Sequence, residues 1–377
     1  MEGPVREFVC HFLGSSPAMC MKITFVLPGA ARWPSGGSRM VFRYSNALVA
    51  MGCSVRVIMP SNVGGAGPAK TILRSGRYLL WKLSGAFAPR RWFALDSRVT
   101  LSWVPNLAAA ASSRDDAVIA TSVRTAEAVA AWPESAGRKF YFVQGFETWD
   151  FSADRVRASW LLPLVKIAVS HWLGDLIAAA GSAAVILPNG ADPDAFGIDV
   201  PIEGSARKCL LWPHHWLAQK GSDDVQAIVP LLKSGFPGIE VRAFGTTRPP
   251  RAWPHDVEYV LNPSQPRLRE LYNQAAVMIA PSHEEGWGLP ASEALQCGCG
   301  LVATDIGGHR EFLRHEQNAL LFPPTDRDAL ARDTRRLLSD PGLRLRLARQ
   351  GVADLHALRF EPIAQRLRLI LSGEMTL

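Results

Sequence analysis

The chain is sparing with cysteine. Cys10, Cys20, Cys53, Cys209, Cys297 and Cys299 are scattered through 377 residues, and no two form a C-x-x-C pair. Cys297-Gly298-Cys299 is spaced too tightly for an ordinary zinc finger, so the thiols read as buried groups in a reducing cytosol. Long apolar runs are missing too. Hydrophobic residues make up 48% of the chain, yet no stretch reaches 18 uncharged apolar residues, and no transmembrane helix is expected. Phe8 to Leu13 is too short and broken for a signal-peptide core. Residues 1–20 are expected to be disordered or to stem from an upstream start, with the fold beginning near Met21. No G-x-G-x-x-G follows the first apolar run, which continues into Pro28-Gly29-Ala30-Ala31. The second run ends at Met59-Pro60 and not on an acid, which excludes a nicotinamide dinucleotide enzyme. The net charge of +7 comes without an aromatic-basic nucleic-acid motif, so no nucleic-acid partner is expected.

The length suits about two domains of ordinary size. From Met21 the pattern alternates strand and helix: strand Ile23–Leu27, helix Gly36–Met51, strand Ser54–Met59, strand Ala117–Ala120, helix Thr125–Trp132, strand Phe140–Val143. A long apolar helix is expected over Arg157–Ala180, then a strand at Ala184–Leu187. Pro201-Ile202-Glu203-Gly204-Ser205 reads as a linker. The alternation then restarts with strand Lys208–Trp212, helix Ser222–Lys233, strands Ile239–Phe244 and Val257–Val260, and helix Pro266–Gln274. It ends with strand Ala276–Ala280, strand Leu301–Thr304 and helices Asp326–Leu338 and Gly342–Leu355. Such alternation specifies an α/β chain with parallel sheets covered by helices on both faces.

One segment carries most of the chemical information. Pro281-Ser282-His283-Glu284-Glu285-Gly286-Trp287-Gly288-Leu289-Pro290-Ala291-Ser292-Glu293-Ala294 follows a buried strand and opens a helix at Leu289-Pro290, where proline is favoured. A strand–glycine loop–helix junction presents free N–H groups and the positive end of a helix dipole to an anion. Glu285 and Glu293 flank that anion site and suit sugar hydroxyls. Phosphate between two sets of hydroxyls describes a nucleotide sugar.

This string resembles the Glu-x7-Glu motif of the retaining GT-B glycosyltransferases, in particular glycosyltransferase family 4. The resemblance implies two Rossmann-like domains facing each other across a cleft. It assigns 21–187 to an acceptor-binding domain, 188–205 to the linker and 206–357 to a nucleotide-sugar-binding domain. The tail 358–377 is then expected to cross back to the first domain, through Pro362–Leu371. It also implies that Glu293 holds the ribose diol, that Glu285 contacts the donor sugar, and that Gly286, Trp287, Gly288 and Leu289 line the phosphate site. Five further segments match in order: Gly36-Gly37, Pro188-Asn189-Gly190-Ala191-Asp192, Gln219-Lys220-Gly221, Gly307-Gly308-His309-Arg310-Glu311, and Asn318 to Pro324. Lys220 would neutralise a diphosphate as the glycosidic bond breaks.

Two departures stand out. The family's arginine five residues before that lysine is His215 here, which lacks a permanent charge and a bidentate fork. Either His215 binds phosphate more weakly, or Arg248 or Arg251 supplies the charge. The family's histidine after the strand Tyr141-Phe142-Val143 is replaced by Gln144-Gly145-Phe146-Glu147. There Gln144 and Glu147 are candidate catalytic groups, and Glu147 is equally readable as a structural carboxylate. The string around them resembles a branch of bacterial polysaccharide rhamnosyltransferases, which points to a deoxyhexose. Asp192-Pro193-Asp194 and His214-His215 are poor metal candidates, and neither a metal nor a cofactor is expected beyond the nucleotide-sugar donor. The expected acceptor is a glycan or lipid-linked glycan of a bacterial-type envelope. Residues 70–98 mix Lys70, Arg74, Arg77, Lys82, Arg90, Arg91 and Arg98 with Leu73, Tyr78, Leu79, Leu80, Trp81, Trp92 and Phe93, and hold one acid, Asp96. That suits either a helix lying on an anionic membrane or a solvated face over an ordinary core. The expected location is cytoplasmic, with a peripheral place on the inner membrane face in the first case. A sugar-nucleotide epimerase of the same fold and a non-catalytic nucleotide-sugar or glycan binder are the alternatives.

Overall fold

A computed structural model of the protein describes residues 21–375 apart from 65–67, 112–113, 204–205 and 252. The expected disorder of 1–20, Cys10, Cys20 and part of the linker at 201–205 lie outside the described residues. The first sheet is built from β1 (Lys22–Val26), β2 (Ser54–Asn62), β3 (Thr100–Asn106), β4 (Ala117–Ala120), β5 (Arg138–Val143), β6 (Val165–Ala168) and β7 (Ala184–Ile186). Its helices are α1 (Gly36–Ala50), α2 (Pro68–Ser84), α3 (Val123–Ala130), α4 (Ala153–Trp160) and α5 (His171–Ala179). The strand order is β3-β2-β1-β4-β5-β6-β7, parallel throughout. Every residue of β4 is buried, as expected of a strand covered on both faces.

The second sheet contains β8 (Cys209–Pro213), β9 (Glu240–Gly245), β10 (Glu258–Leu261), β11 (Ala275–Ala280), β12 (Gly300–Thr304) and β13 (Leu320–Phe322), in the parallel order β10-β9-β8-β11-β12-β13. Helices α6 (Ser222–Gly235), α7 (Gln265–Gln274), α8 (Leu289–Gln296), α9 (Gly307–Arg310), α10 (Arg327–Ser339) and α11 (Pro341–His356) cover it. Finally α12 (Phe360–Ser372) returns to the first domain. Phe360 packs on Tyr44 of α1 with ring centroids 5.0 Å apart, and Arg138 of β5 donates to the Leu371 carbonyl at 3.1 Å.

Both sheets reverse strand order beside their first strand, between β1 and β4 and between β8 and β11. These are the switch points where parallel α/β sheets take ligands, at the carboxyl ends of the strands. The expectation of one helix over Arg157–Ala180 is wrong. The segment is α4, then the strand β6, then α5, with Ser152 and Ser170 capping the two helices. Lys166-Ile167-Ala168 is buried and too short to betray its period, so apolar content alone favoured a helix. Strands β3 and β13 also went unread: β3 is half polar, and β13 has three residues. The four described cysteines are free and buried, and burial pushes the Cys209 thiol up to about 12.

Candidate active site

The carboxyl ends of β8 and β11 hold the central pair. After β8 the chain runs through His214 and His215 to a short 3-10 turn over Ala218–Lys220. Gly221 then adopts a left-handed conformation, φ 65°, and its α-carbon lies so close to the Pro281 carbonyl that a Cβ would sit 2.1 Å from the oxygen. Only glycine fits, and the tight approach brings Lys220 to the loop after β11. Lys220 Nζ lies 2.8 Å from Glu285 Oε1, and Ser282 Oγ donates to the same oxygen at 2.8 Å. Burial alone would raise the Glu285 pKa. The Lys220 charge and these hydrogen bonds outweigh it and hold the carboxyl below its ordinary value. Behind the pair, His283 Nε2 meets Asp224 Oδ2 at 2.7 Å, Arg327 meets the other Asp224 oxygen at 2.7 Å, and the His283 amide donates to the Gln219 carbonyl at 2.8 Å. The lysine and glutamate loops are thus fixed to one another and to α6.

Next along the chain, α8 begins without a side-chain cap. Its N-cap, Gly288, has φ 96°, and a Cβ there would lie 2.5 Å from the His309 ring. The N–H groups of the first turn are therefore left without a capping side chain. His309 is buried, its Nδ1 donates to the Thr304 carbonyl at 2.9 Å, and burial lowers its pKa. With the ring proton on Nδ1, the neutral imidazole has Nε2 as its acceptor. Glu293, in the second turn of α8, is 4% exposed. It accepts from Tyr272 Oη at 3.1 Å and pairs with Arg39 of α1, across the cleft. Trp287 is buried and stacks its indole on Phe312, ring centroids 5.0 Å apart.

The first domain meets this surface at other places besides Arg39. Gly36, at the start of α1, lies against Leu289. Gln144 Nε2 donates to the Gly37 carbonyl at 3.4 Å, while the Gln144 carbonyl lies against Gly286. Glu311, just after α9, caps α5: it accepts from the His171 amide at 2.7 Å and meets His171 Nδ1 at 2.8 Å. Gln144, Gly36, Gly37, Gly286, Leu289, Glu285, Lys220 and Glu293 thus come together around the cleft. Glu147 is held inside the first domain, where it accepts from the Val123 amide at the start of α3, 3.1 Å, and from Tyr141 Oη, 3.3 Å. Burial pushes its carboxyl up to about 7, against the opposing hydrogen bonds.

His215 faces the site differently from an arginine. Its Nδ1 accepts from the Leu217 amide at 3.1 Å, so the neutral ring carries its proton on Nε2. Burial, then the Lys220 charge, lowers its pKa. His214 points away, edge-on to Trp253 at 5.0 Å and Tyr259 at 5.7 Å, so the adjacent histidines do not share a ligand. Arg248 and Arg251 are exposed on the loop after β9. Asp192 is committed to Arg43 at 3.2 Å and to the Ala195 amide at 3.1 Å. Sequence reasoning passed over Arg39, Ser282, Tyr272 and the ring of His309. Arg39 had a signal, a cation three residues after Gly36 in the first turn of the helix that follows β1.

Known proteins resemble this chain in two ways. Residues 252–353 match the family described as Glycosyl transferases group 1, a span that contains Glu285 and Glu293. Over the whole chain, sucrose-phosphate synthase from Thermosynechococcus elongatus superposes with a TM-score of 0.72 at 17% identity, covering 94% of this chain and 99% of that one. Anabaena HepE in complex with UDP and glucose gives 0.72 at 16%, covering 94% and 100%.

The fold is GT-B.

Among sequence relatives, a D-inositol 3-phosphate glycosyltransferase of Acidothermus cellulolyticus is 45% identical over 94 residues, 25% of this chain and 20% of that protein. An exopolysaccharide phosphotransferase of Streptomyces coelicolor is 31% identical over 184 residues, 46% of this chain and 19% of that protein. The chain spans about a fifth of the length of these relatives. Within the GT-B frame the Lys220–Glu285 pair, α8 and Glu293 all belong to the second domain, and the first domain meets them with the Arg39 side chain and the Gln144 backbone carbonyl.

Proposed function

We propose that the protein is a retaining, metal-independent glycosyltransferase, one that moves a sugar from a nucleoside diphosphate donor to a glycan or lipid-linked glycan acceptor of a bacterial-type envelope. The observation that carries this reading is the Lys220–Glu285 pair on the loop that leads into α8, a helix whose first turn has no side-chain cap and whose second turn holds the buried Glu293. A diphosphate fits the helix start and Lys220, both positive. Glu293 suits the ribose diol, and Glu285, ionised by its neighbours, suits the hydroxyls of the donor sugar. UDP and glucose in Anabaena HepE, and the activity named for the Acidothermus relative, support the same ligand class. The Streptomyces relative supports an exopolysaccharide setting.

The chemistry then follows from charge. The bond between the anomeric carbon and the diphosphate oxygen breaks, leaving an oxocarbenium-like carbon and a phosphate oxygen with growing charge. Lys220 and the α8 amides stabilise that oxygen. The acceptor hydroxyl attacks from the same face and passes its proton to the departing oxygen, so configuration is retained. Glu285 orients the sugar, and the His215 Nε2 proton adds a neutral donor to the phosphates. Gln144 lies on the acceptor side, and a lipid-linked acceptor would place the enzyme at the cytoplasmic face of a membrane.

Calorimetric titration with UDP, GDP, dTDP and ADP in chelator tests this. One nucleotide is expected to bind selectively. Glu293→Ala is expected to weaken it at least tenfold, since a hydrogen bond to a charged group contributes about 1.5–3 kcal/mol. Glu285→Ala is expected to spare binding and reduce turnover by about a hundredfold. Glycoside plus free nucleotide as products supports transfer, and an epimerised donor supports the epimerase. Failure to bind any nucleotide overturns both.

A further inference from the structure

Residues 21–95 contain eleven lysines and arginines and no aspartate or glutamate. The net charge of the whole chain is +7, so everything outside this stretch is net acidic. Three of the eleven reach carboxylates elsewhere: Arg39, Arg43 and Arg56 pair with Glu293, Asp192 and Asp115. Among the described residues, Arg32, Lys70, Arg74, Arg77, Lys82, Arg90 and Arg91 form no ion pair. Arg32, Lys70, Lys82, Arg90 and Arg91 are exposed.

The same stretch carries an inverted helix. Tyr78 and Trp81 of α2 stack on Trp103 of β3, at 6.3 and 5.7 Å, while Arg74 and Arg77 donate to Asn62 and to the Ser61 carbonyl at the end of β2. That anchoring turns the aliphatic side of α2 to solvent. Ile72 and Leu73 are 75% exposed, Leu79 61%, Leu80 63% and Leu83 89%. At about 100° per residue these five, with Gly76, form one continuous uncharged stripe. A helix of a soluble domain normally buries such a stripe and shows its polar face. Beside it Trp33 is 62% exposed, and Arg32 lies over both Trp33 and Trp81, 5.5 and 5.4 Å from their ring centroids. Trp92 ties the Arg90–Arg91 loop to this corner by donating to the Ala31 carbonyl at 2.9 Å.

We propose that the outer stripe of α2, with Trp33 and the surrounding cations, docks the protein on an anionic lipid surface. The aliphatic side chains enter the acyl boundary, Trp33 sits at headgroup level, and Lys70, Lys82, Arg90, Arg91 and Arg32 meet lipid phosphates. Charge selects this occupant: a patch drawn from a stretch with eleven cations and no carboxylate repels a second copy of itself and attracts an anionic bilayer. The proposal extends the lipid-linked acceptor reading by naming the surface. Its test reads lipid binding and not turnover, so either can fail alone.

The full chain is floated with vesicles of phosphatidylcholine and with vesicles also containing phosphatidylglycerol. Flotation with the anionic vesicles alone, reversed by salt, is expected. Arg90→Ala with Arg91→Ala is expected to lower partition roughly thirtyfold, and Leu79→Ser with Leu83→Ser by at least about tenfold. Both doubles are expected to keep wild-type nucleotide titrations, since neither touches the cleft. Equal flotation on both vesicles, or none on either, overturns the proposal. So does a concentration-dependent dimer in sedimentation velocity that Leu79→Ser with Leu83→Ser dissolves while lipid binding is absent, because a second copy then covers the stripe.

Discussion

At Gly286 the two domains meet backbone to backbone, and Gly286→Ala isolates that contact. A Cβ there would lie 2.1 Å from the Gln144 carbonyl oxygen and 3.2 Å from the Gly145 α-carbon, so reaching an ordinary separation of 3.4 Å needs a shift of about 1.3 Å. Gly286 is not among the residues with positive φ, so alanine meets no backbone strain and the effect falls on the domain contact. The second-domain loop has little room to retreat, because Gly308 lies against the Glu285 carbonyl behind it. The first-domain loop must therefore move away and take Gln144 with it. A misplacement of about 1 Å costs on the order of a hundredfold in turnover. Nucleotide affinity is expected to stay within about threefold, because Lys220, Glu293 and α8 belong to the second domain and ordering terms at the cleft are small beside those contacts. Calorimetry with the selected nucleotide and initial rates with its sugar derivatives measure the two quantities. Turnover near wild type would refute the closed-cleft argument, and loss of nucleotide affinity with turnover would show that the residue serves the donor site directly.

Two further outcomes follow from individual side chains. Glu147 has its carboxyl raised to about 7, so its contribution to stability is full below the ordinary carboxylate range and is lost as pH rises toward and through about 7. By linkage the loss is about 3 kcal/mol, and Glu147→Gln is expected to flatten it in urea titrations run at about pH 5 and about pH 8. An unchanged slope would mean the group titrates normally. His215→Arg restores a permanent charge where a neutral ring now stands, and is expected to tighten nucleoside diphosphate binding about tenfold, as a charge-assisted bond replaces a neutral one. Weaker binding would mean that the Leu217 amide bond to Nδ1 matters more than charge.

Some elements were legible from local chemistry. The strand–loop–helix unit at 275–296 announced itself through a short apolar run closed by Pro281, two glycines and a Leu-Pro helix start, signals that agree on one arrangement. The second domain was read almost strand for strand because its elements are bounded by glycine and proline. The stretch Arg157–Ala180 was misread because a buried four-residue strand between two short helices has the same composition as one long helix.

By itself the sequence determined the alternation of strands and helices, the strand–glycine loop–helix junction at Leu289 and the spacing of Glu285 and Glu293 about it, because these depend on residues near one another in the chain. Tertiary structure decided what lies opposite. Arg39 reaches Glu293 only because α1 and α8 face each other, Glu311 caps α5 only because the domains close, and α2 shows its aliphatic stripe only because Trp103 holds its other side. Periodicity states which residues share a face of a helix. Which way that face turns is set by what packs against the opposite side, and the sheet brings those partners from distant parts of the chain.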